Sequence, residues 1–114
     1  MSKPYYVYIV TNQEKSVFYT SVTNNLPQRL VEHFFGNVSV AGFASKYNAW
    51  FLVYYEWHLN VKEASQREKE IKSWRRYKKL ELIREFNPAF KFLNKEIVGY
   101  WPPRRSSRVK PKGP

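Results

Sequence analysis

Tyr8 and Tyr19 sit in two segments rich in β-formers, Tyr5 to Val10 and Val17 to Thr23, separated by the polar run Thr11-Asn12-Gln13-Glu14-Lys15. Two such runs around a turn read as an antiparallel hairpin. With Val10 set against Val17, Tyr8 falls opposite Tyr19 on one face of the sheet. Tyrosine in a strand usually serves packing, but a phenol beside a cation has a lowered pKa and can accept a proton. Arg29 and His33 lie four apart on the next helical stretch and so share a face. An arginine there can clamp a phosphate with two hydrogen bonds and offset transition-state charge, while His33 donates to phosphate or relays a proton. The ordinary alternative is the polar edge of an amphipathic helix. Glu68 is the third element, four residues after Ala64 and three before Ile71 on the apolar stripe of a later helix. A carboxylate there is costly unless paired or bound to a cation. Arg67, Lys72 and Arg75 are near enough for a salt bridge, which competes with a metal-ligand role.

The scaffold for these side chains follows from periodicity and punctuation. Asn24-Asn25 signals a helix N-cap, with Leu26 and Pro27 in the first turn. That helix runs to about Phe35, stops at Gly36 and carries an apolar stripe of Leu26, Leu30 and Phe34. Residues 36–49 are loop-like and hold Lys46 and Tyr47. Trp50 to Glu56 is a near-continuous apolar run, suited to the middle of a sheet or to a face covered by helices. Val61 to Glu85 contains no Gly or Pro and is helical in composition. Ala64, Ile71 and Trp74 mark its buried stripe, and Leu80 and Ile83 resume out of phase, so a kink or two helices is expected. Asn87-Pro88 ends this unit, and Ala89 to Trp101 supplies one short terminal helix. The order β-β-α-β-α-α implies an α+β domain over residues 1–101, with a small, three-stranded, mostly antiparallel sheet flanked by helices. Residues 102–114 form a basic, Pro-rich tail expected to be disordered.

Composition narrows the chemistry. The chain of 114 residues suits one domain, and 43% hydrophobic residues suffice for a core. There is no cysteine, which removes disulfides, thiolate zinc sites and cysteine nucleophiles. Every acidic residue is a glutamate and there are only two histidines. Sites built on aspartate clusters, or on several histidines with zinc, are therefore excluded. A metal would rest on few protein ligands, most simply one Glu with water and phosphate, which magnesium accepts. Twenty Lys and Arg face nine acids, a net charge of +11. Five of the basic residues (Arg104, Arg105, Arg108, Lys110 and Lys112) lie in the tail, yet the body remains basic without them. That balance favours a polyanion, most commonly nucleic acid. No apolar run approaches a bilayer span, and the N-terminus lacks a signal-peptide shape.

In this order the segments YYVYIV (5–10), VFYTSVTNNLPQRLVEH (17–33), GFASKYN (42–48), LVYYE (52–56), AxxREKEIKxW (64–74) and NPAF (87–90) are similar to the GIY-YIG nuclease family. The resemblance is to compact stand-alone members related to the nuclease module of the bacterial excision-repair machinery, and it covers roughly residues 5–93. The family's first motif falls on Tyr6-Val7-Tyr8 and its second on Tyr19-Thr20-Ser21. The resemblance implies that Tyr8 and Tyr19 supply the phenols, one acting as or assisting the general base. It implies the family's arginine at Arg29, its histidine at His33, and a single magnesium or manganese ion at Glu68. Tyr6 replaces the first motif's glycine, and Ser21 replaces the glycine that ends the second. Ala44 and Ser45 stand where the subgroup often has Thr-Lys, leaving Lys46 as the nearest cation.

The function implied is a metal-dependent endonuclease that hydrolyses DNA phosphodiesters, with structure-selective nicking and DNA repair as the setting. Lys46, Lys72, Arg75, Arg104 and Arg105 are the expected nucleic-acid contacts. The alternative is a nucleic-acid-binding module of the same fold whose site Ser21 impairs; a protein-interaction domain on the same scaffold is a third reading. The expected partner is nucleic acid, DNA over RNA, with the basic tail a possible contact for a protein. A monomer in the cytoplasm, nucleoid-associated if bacterial, is expected, with no membrane.

Overall fold

The hairpin is set by one asparagine. Asn12 Oδ1 accepts from the backbone N–H of Ser16 at 2.8 Å and of Val17 at 3.3 Å, and its Nδ2 donates to the Ser16 hydroxyl at 2.7 Å. Thr11 Oγ1 donates to the Val17 carbonyl at 2.6 Å, and Lys15 takes a left-handed backbone, φ 59. The turn therefore occupies residues 12–17, between β1 (Tyr5–Thr11) and β2 (Phe18–Thr23), with Thr11 paired to Phe18. This moves the register two residues from the sequence expectation: Tyr8 lies opposite Ser21, and Tyr19 opposite Val10. A shift of two leaves every side chain on its own face. Tyr8 and Tyr19 thus still share a face, as diagonal neighbours. The computed structural model describes residues 3–36 and 47–104, and all that follows concerns these.

β3 (Phe51–His58) pairs antiparallel with the other side of β1, giving the order β2-β1-β3 and a bulge between Ile9 and Val10. The central strand is β1, not the apolar run of β3. Residues alternate across β1 and build two cores. Tyr8 and Val10 pack with Leu26 and Leu30 of α1 (Leu26–Phe35) and with Leu93. Val7 and Ile9 pack on the opposite face with Val53, Tyr54, Ala64 and Ile71 of α2 (Val61–Ser73), and Ile83 of α3 (Arg76–Phe86). The domain is a helix–sheet–helix sandwich, and β3 reads as apolar because helices cover it.

The helix boundaries follow their caps. Asn25 Oδ1 accepts from Gln28 N at 3.2 Å, Pro27 sits in the first turn, and Gly36 ends α1 at φ 72. Asn60 caps α2 through Lys62 N and Glu63 N. The expected change of phase after Trp74 is a full break: Trp74 and Arg75 both have extended backbone. Ile71 and Ile83 would point about 120° apart on one continuous helix, so the chain must restart to bring both to the core. Counting both helices and the short α4 (Asn94–Val98), the order is β-β-α-β-α-α-α. Trp74 itself is half-buried, between Arg67 at 5.3 Å and Lys78 at 4.5 Å from its ring.

Two buried asparagines close the outer side of β3. Asn94 Nδ2 donates to Trp50 O at 2.8 Å and its Oδ1 accepts from Leu52 N at 2.7 Å, while Leu93 N donates to Leu52 O at 2.8 Å. Asn87 Nδ2 donates to Val53 O at 3.1 Å and to Lys91 O at 2.9 Å. No helix among the described residues is long and apolar enough to cross a membrane.

Candidate active site

Alternation along β1 and β2 aims Tyr8, Tyr19 and Ser21 at α1, where the last turn presents His33. The His33 ring stands between the two phenols, with centroids 5.8 Å from Tyr8 and 5.9 Å from Tyr19, both edge-on. His33 Nε2 and the Tyr8 hydroxyl share a hydrogen bond of 2.8 Å. Tyr8 is fully buried and His33 is 2% exposed, whereas Tyr19 is only partly buried. His33 therefore belongs to the core, not to the edge of the α1 stripe. Arg29, one turn earlier, pairs its Nε with Glu32 Oε1 at 3.6 Å and lines a small polar hollow with Thr23, Asn24, Asn25, Gln28 and Glu32. The structure thus brings Tyr8, Tyr19, Arg29 and His33 together on one face, with Tyr8 and His33 inside and Tyr19 and Arg29 partly exposed.

Burial pushes the Tyr8 phenol up to about 12, against the opposing pull of Arg29 and the Ser21 hydroxyl. Ser21, 7% exposed, points its hydroxyl into this cluster instead of leaving the space a glycine would. Burial, reinforced by the Arg29 charge, lowers His33 to about 4. His33 Nδ1 has no hydrogen-bond partner among the described residues. The imidazole is therefore neutral in the fold at neutral pH, while the unfolded chain titrates near 6.5. Its contribution to stability is complete above that value and is lost as pH falls from about 6.5 toward 4, because the unfolded state takes up the proton first. The full difference is on the order of 3 kcal/mol. Urea unfolding across this window is expected to show wild-type stability falling toward acid and a flatter profile for His33→Gln. Parallel profiles would place the titrating group elsewhere.

Glu68 comes from the opposite layer. It lies on the α2 stripe that faces the sheet, and α2 packs against β1 and the outer strand β2. Its side chain is 17% exposed, and its Oε2 is 3.0 Å from Lys72 Nζ. Of the three nearby cations in sequence, Lys72 is the partner. Arg67 instead binds Glu56 on β3 through its Nε, at 3.2 and 3.0 Å, and Glu70 at 3.0 Å. Lys72 therefore pairs with the Glu68 carboxylate, the competing salt bridge, and a metal ion would have to displace it. Among the described residues no three His, Cys, Asp or Glu side chains form a ligand group. One carboxylate suits magnesium or manganese, which keep several waters, and not a zinc site of three or four protein ligands. Thr20, between Phe18 and Val22 on the α2 side of β2, buries a hydroxyl with no partner among the described residues, an oxygen left over in the same layer.

Among the expected nucleic-acid contacts, Lys72, Arg75 and Arg104 are exposed. Lys46 and Arg105 lie outside the described residues, as do Ala44, Ser45 and most of the basic tail. A larger groove of about 400 Å³ between Tyr55, Phe86, Pro88, Lys91 and Glu96 is lined by none of the five candidate residues. A second polar cluster escaped the sequence reading. Tyr54 donates to Glu56, whose other oxygen is 2.7 Å from His58 Nε2. Burial opposes the Glu56 charge, but hydrogen bonds from Tyr54, His58 and Arg67 outweigh it and hold the carboxyl below its ordinary range. The alternate spacing of residues 54, 56 and 58 was the available signal, since period two puts them on one strand face.

The comparisons with known proteins identify the family. Residues 4–81 match the model of the GIY-YIG catalytic domain. A UPF0213 protein of Clostridium perfringens is 40% identical over 78 residues, covering 68% of this chain and 81% of the relative. UPF0213 proteins of Staphylococcus haemolyticus and Oceanobacillus iheyensis are 38% and 36% identical, covering 71% and 73% of this chain and 95% and 93% of theirs. No solved structure gives a significant match.

Proposed function

The chain belongs to the GIY-YIG family, and on that footing we propose that it is a metal-dependent endonuclease that nicks the DNA backbone. The family is one of nuclease domains, and nucleic acid is the substrate class that goes with it. The observation that carries the proposal is the His33 ring held between two phenols, with Arg29 at the mouth of the same cluster.

Each residue has a part set by its surroundings. Tyr8 is sealed in the core on His33, with its phenol pushed up, so it is a poor proton acceptor for an incoming water. Tyr19 is the phenol that reaches the surface and assists that water. The attacking water oxygen bonds to phosphorus as the bond to the leaving oxygen breaks in line, the water's proton passing to solvent and the leaving oxygen taking one from it. Arg29 offsets the added negative charge, exchanging Glu32 for the phosphate. His33 and Tyr8 brace Tyr19 and Arg29 from behind. Glu68 would hold one magnesium or manganese ion, whose charge when bound polarises the phosphate and stabilises the leaving oxygen. α2 packs against the outer strand β2 on one face, and His33 of α1 meets Tyr19 of β2 on the other, so the β2 edge is where a phosphate would be offered both Arg29 and Glu68.

The test is magnesium-dependent cleavage of plasmid, flap and branched DNA. Nicked products that vanish in EDTA are expected. Ser21→Gly is expected to change the rate by less than about tenfold, because the serine hydroxyl contributes to the Tyr8 cluster. No cleavage by wild type, together with strong cleavage by Ser21→Gly, would instead favour the impaired binding module.

A further inference from the structure

The sheet face that carries the candidate site continues past it into a row of rings. At the open end of the hairpin, Tyr6 is the Cα partner of Thr23 on β2 and of Trp57 on β3. Residues directly opposite on neighbouring strands share a face, with Cβ atoms about 5 Å apart. Trp57, Tyr6 and Thr23 therefore form one row across the sheet β2-β1-β3. Thr23, at one end, lines the polar hollow of Arg29. Trp57, at the other, is 59% exposed and lies two strand spacings away, about 10 Å. Tyr55, two residues before Trp57 on the same face, has its ring centroid 6.2 Å from Tyr6 and 5.1 Å from Phe86. Tyr6 and Tyr55 are half-buried, and Tyr55 and Phe86 wall the groove of about 400 Å³.

This surface offers π faces and little net charge. Glu56, between Tyr55 and Trp57, points to the opposite face, where Tyr54, His58 and Arg67 hold it. In the groove, Lys91 is balanced by Glu96. A phosphate gains little from such a surface, whereas the flat face of a base gains stacking. Large rings left in water mark a contact surface. The net charge of +11 and the guanidinium at the end of the row favour a polyanion as the partner.

We propose that Trp57, Tyr6 and Tyr55 form a stacking platform for unpaired bases of the strand whose phosphate Arg29 receives. The platform rests on the nuclease reading and narrows it. Paired bases keep their faces inside the helix, so a substrate that uses the platform has unpaired nucleotides beside the phosphate that is cut. Every base has a π face, so the platform selects nucleic-acid structure and not sequence.

The test compares a fluorescent single-stranded oligothymidine with a strand of the same length built of abasic residues, titrated in EDTA. The two carry the same phosphates and differ only in bases. Wild type is expected to bind the ordinary strand about tenfold more tightly. Trp57→Ala should remove most of that preference, and Trp57→Phe, which keeps a π face, should retain most of it. Tyr77→Ala, at a ring 64% exposed on α3, should change nothing. Salt slopes should match throughout, since no charge is altered. Thermal melts should show Trp57→Ala folded, because its ring stands mostly in water. Wild type that binds both strands equally yet nicks plasmid in magnesium would overturn the platform and leave the nuclease reading standing. Wild type that prefers the ordinary strand but never nicks would overturn the nuclease reading and keep the platform. Undiminished preference in Trp57→Ala would overturn the proposal and return the exposed ring to a protein contact.

Discussion

Glu68→Gln is expected to lower magnesium-dependent nicking by on the order of a thousandfold while leaving DNA binding in EDTA intact or stronger. Glutamine keeps the shape of the side chain between Ala64 and Ile71, so the packing of α2 on the sheet should survive. What it loses is the charge that holds Lys72 at 3.0 Å and, on the proposed mechanism, the charge that holds the ion. Freed from its partner, Lys72 becomes available to phosphate, which is why binding should not fall. Nicking assays and oligonucleotide titrations on the same preparation separate the two effects. Nicking at the wild-type rate by Glu68→Gln would remove Glu68 from the mechanism.

The two tyrosines are expected to fail in different ways. Tyr19→Phe should lower the rate by about a hundredfold or more with little change in stability, because its hydroxyl belongs to the partly exposed ring. Tyr8→Phe should cost about 1–3 kcal/mol of stability, because it deletes one partner of a buried hydrogen bond and strands the His33 Nε2. Single-turnover rates read beside urea midpoints would show the split. Equal losses of rate at unchanged stability would mean that Tyr8 too reaches the reacting atoms.

This division between the tyrosines was half legible from the chain. Period-two alternation placed both on one face, and that survived a register displaced by two residues. The displacement itself could not be read, because the depth of the turn is set by Asn12 side-chain bonds to Ser16 and Val17. Helical spacing put Arg29 and His33 on one face, but whether such a face is rim or core depends on what the strands present to it. Here they present two phenols, and His33 is buried. The phase change after Trp74 announced a break. Which cation would meet Glu68 was not legible, because Arg67 is claimed by Glu56 on β3, a contact that exists only once α2 lies across the sheet.

The asparagine closure of β3 has a consequence for how the molecules behave together. A bare outer strand is a template on which another copy can add a strand of its own. Here Trp50 O, Leu52 N, Leu52 O and Val53 O are already taken from within the same chain. Sheet-to-sheet growth through the first half of β3 would have to break these bonds before making new ones. Asn87 and Asn94 therefore shield this stretch of β3 from strand addition as well as anchoring the last helices.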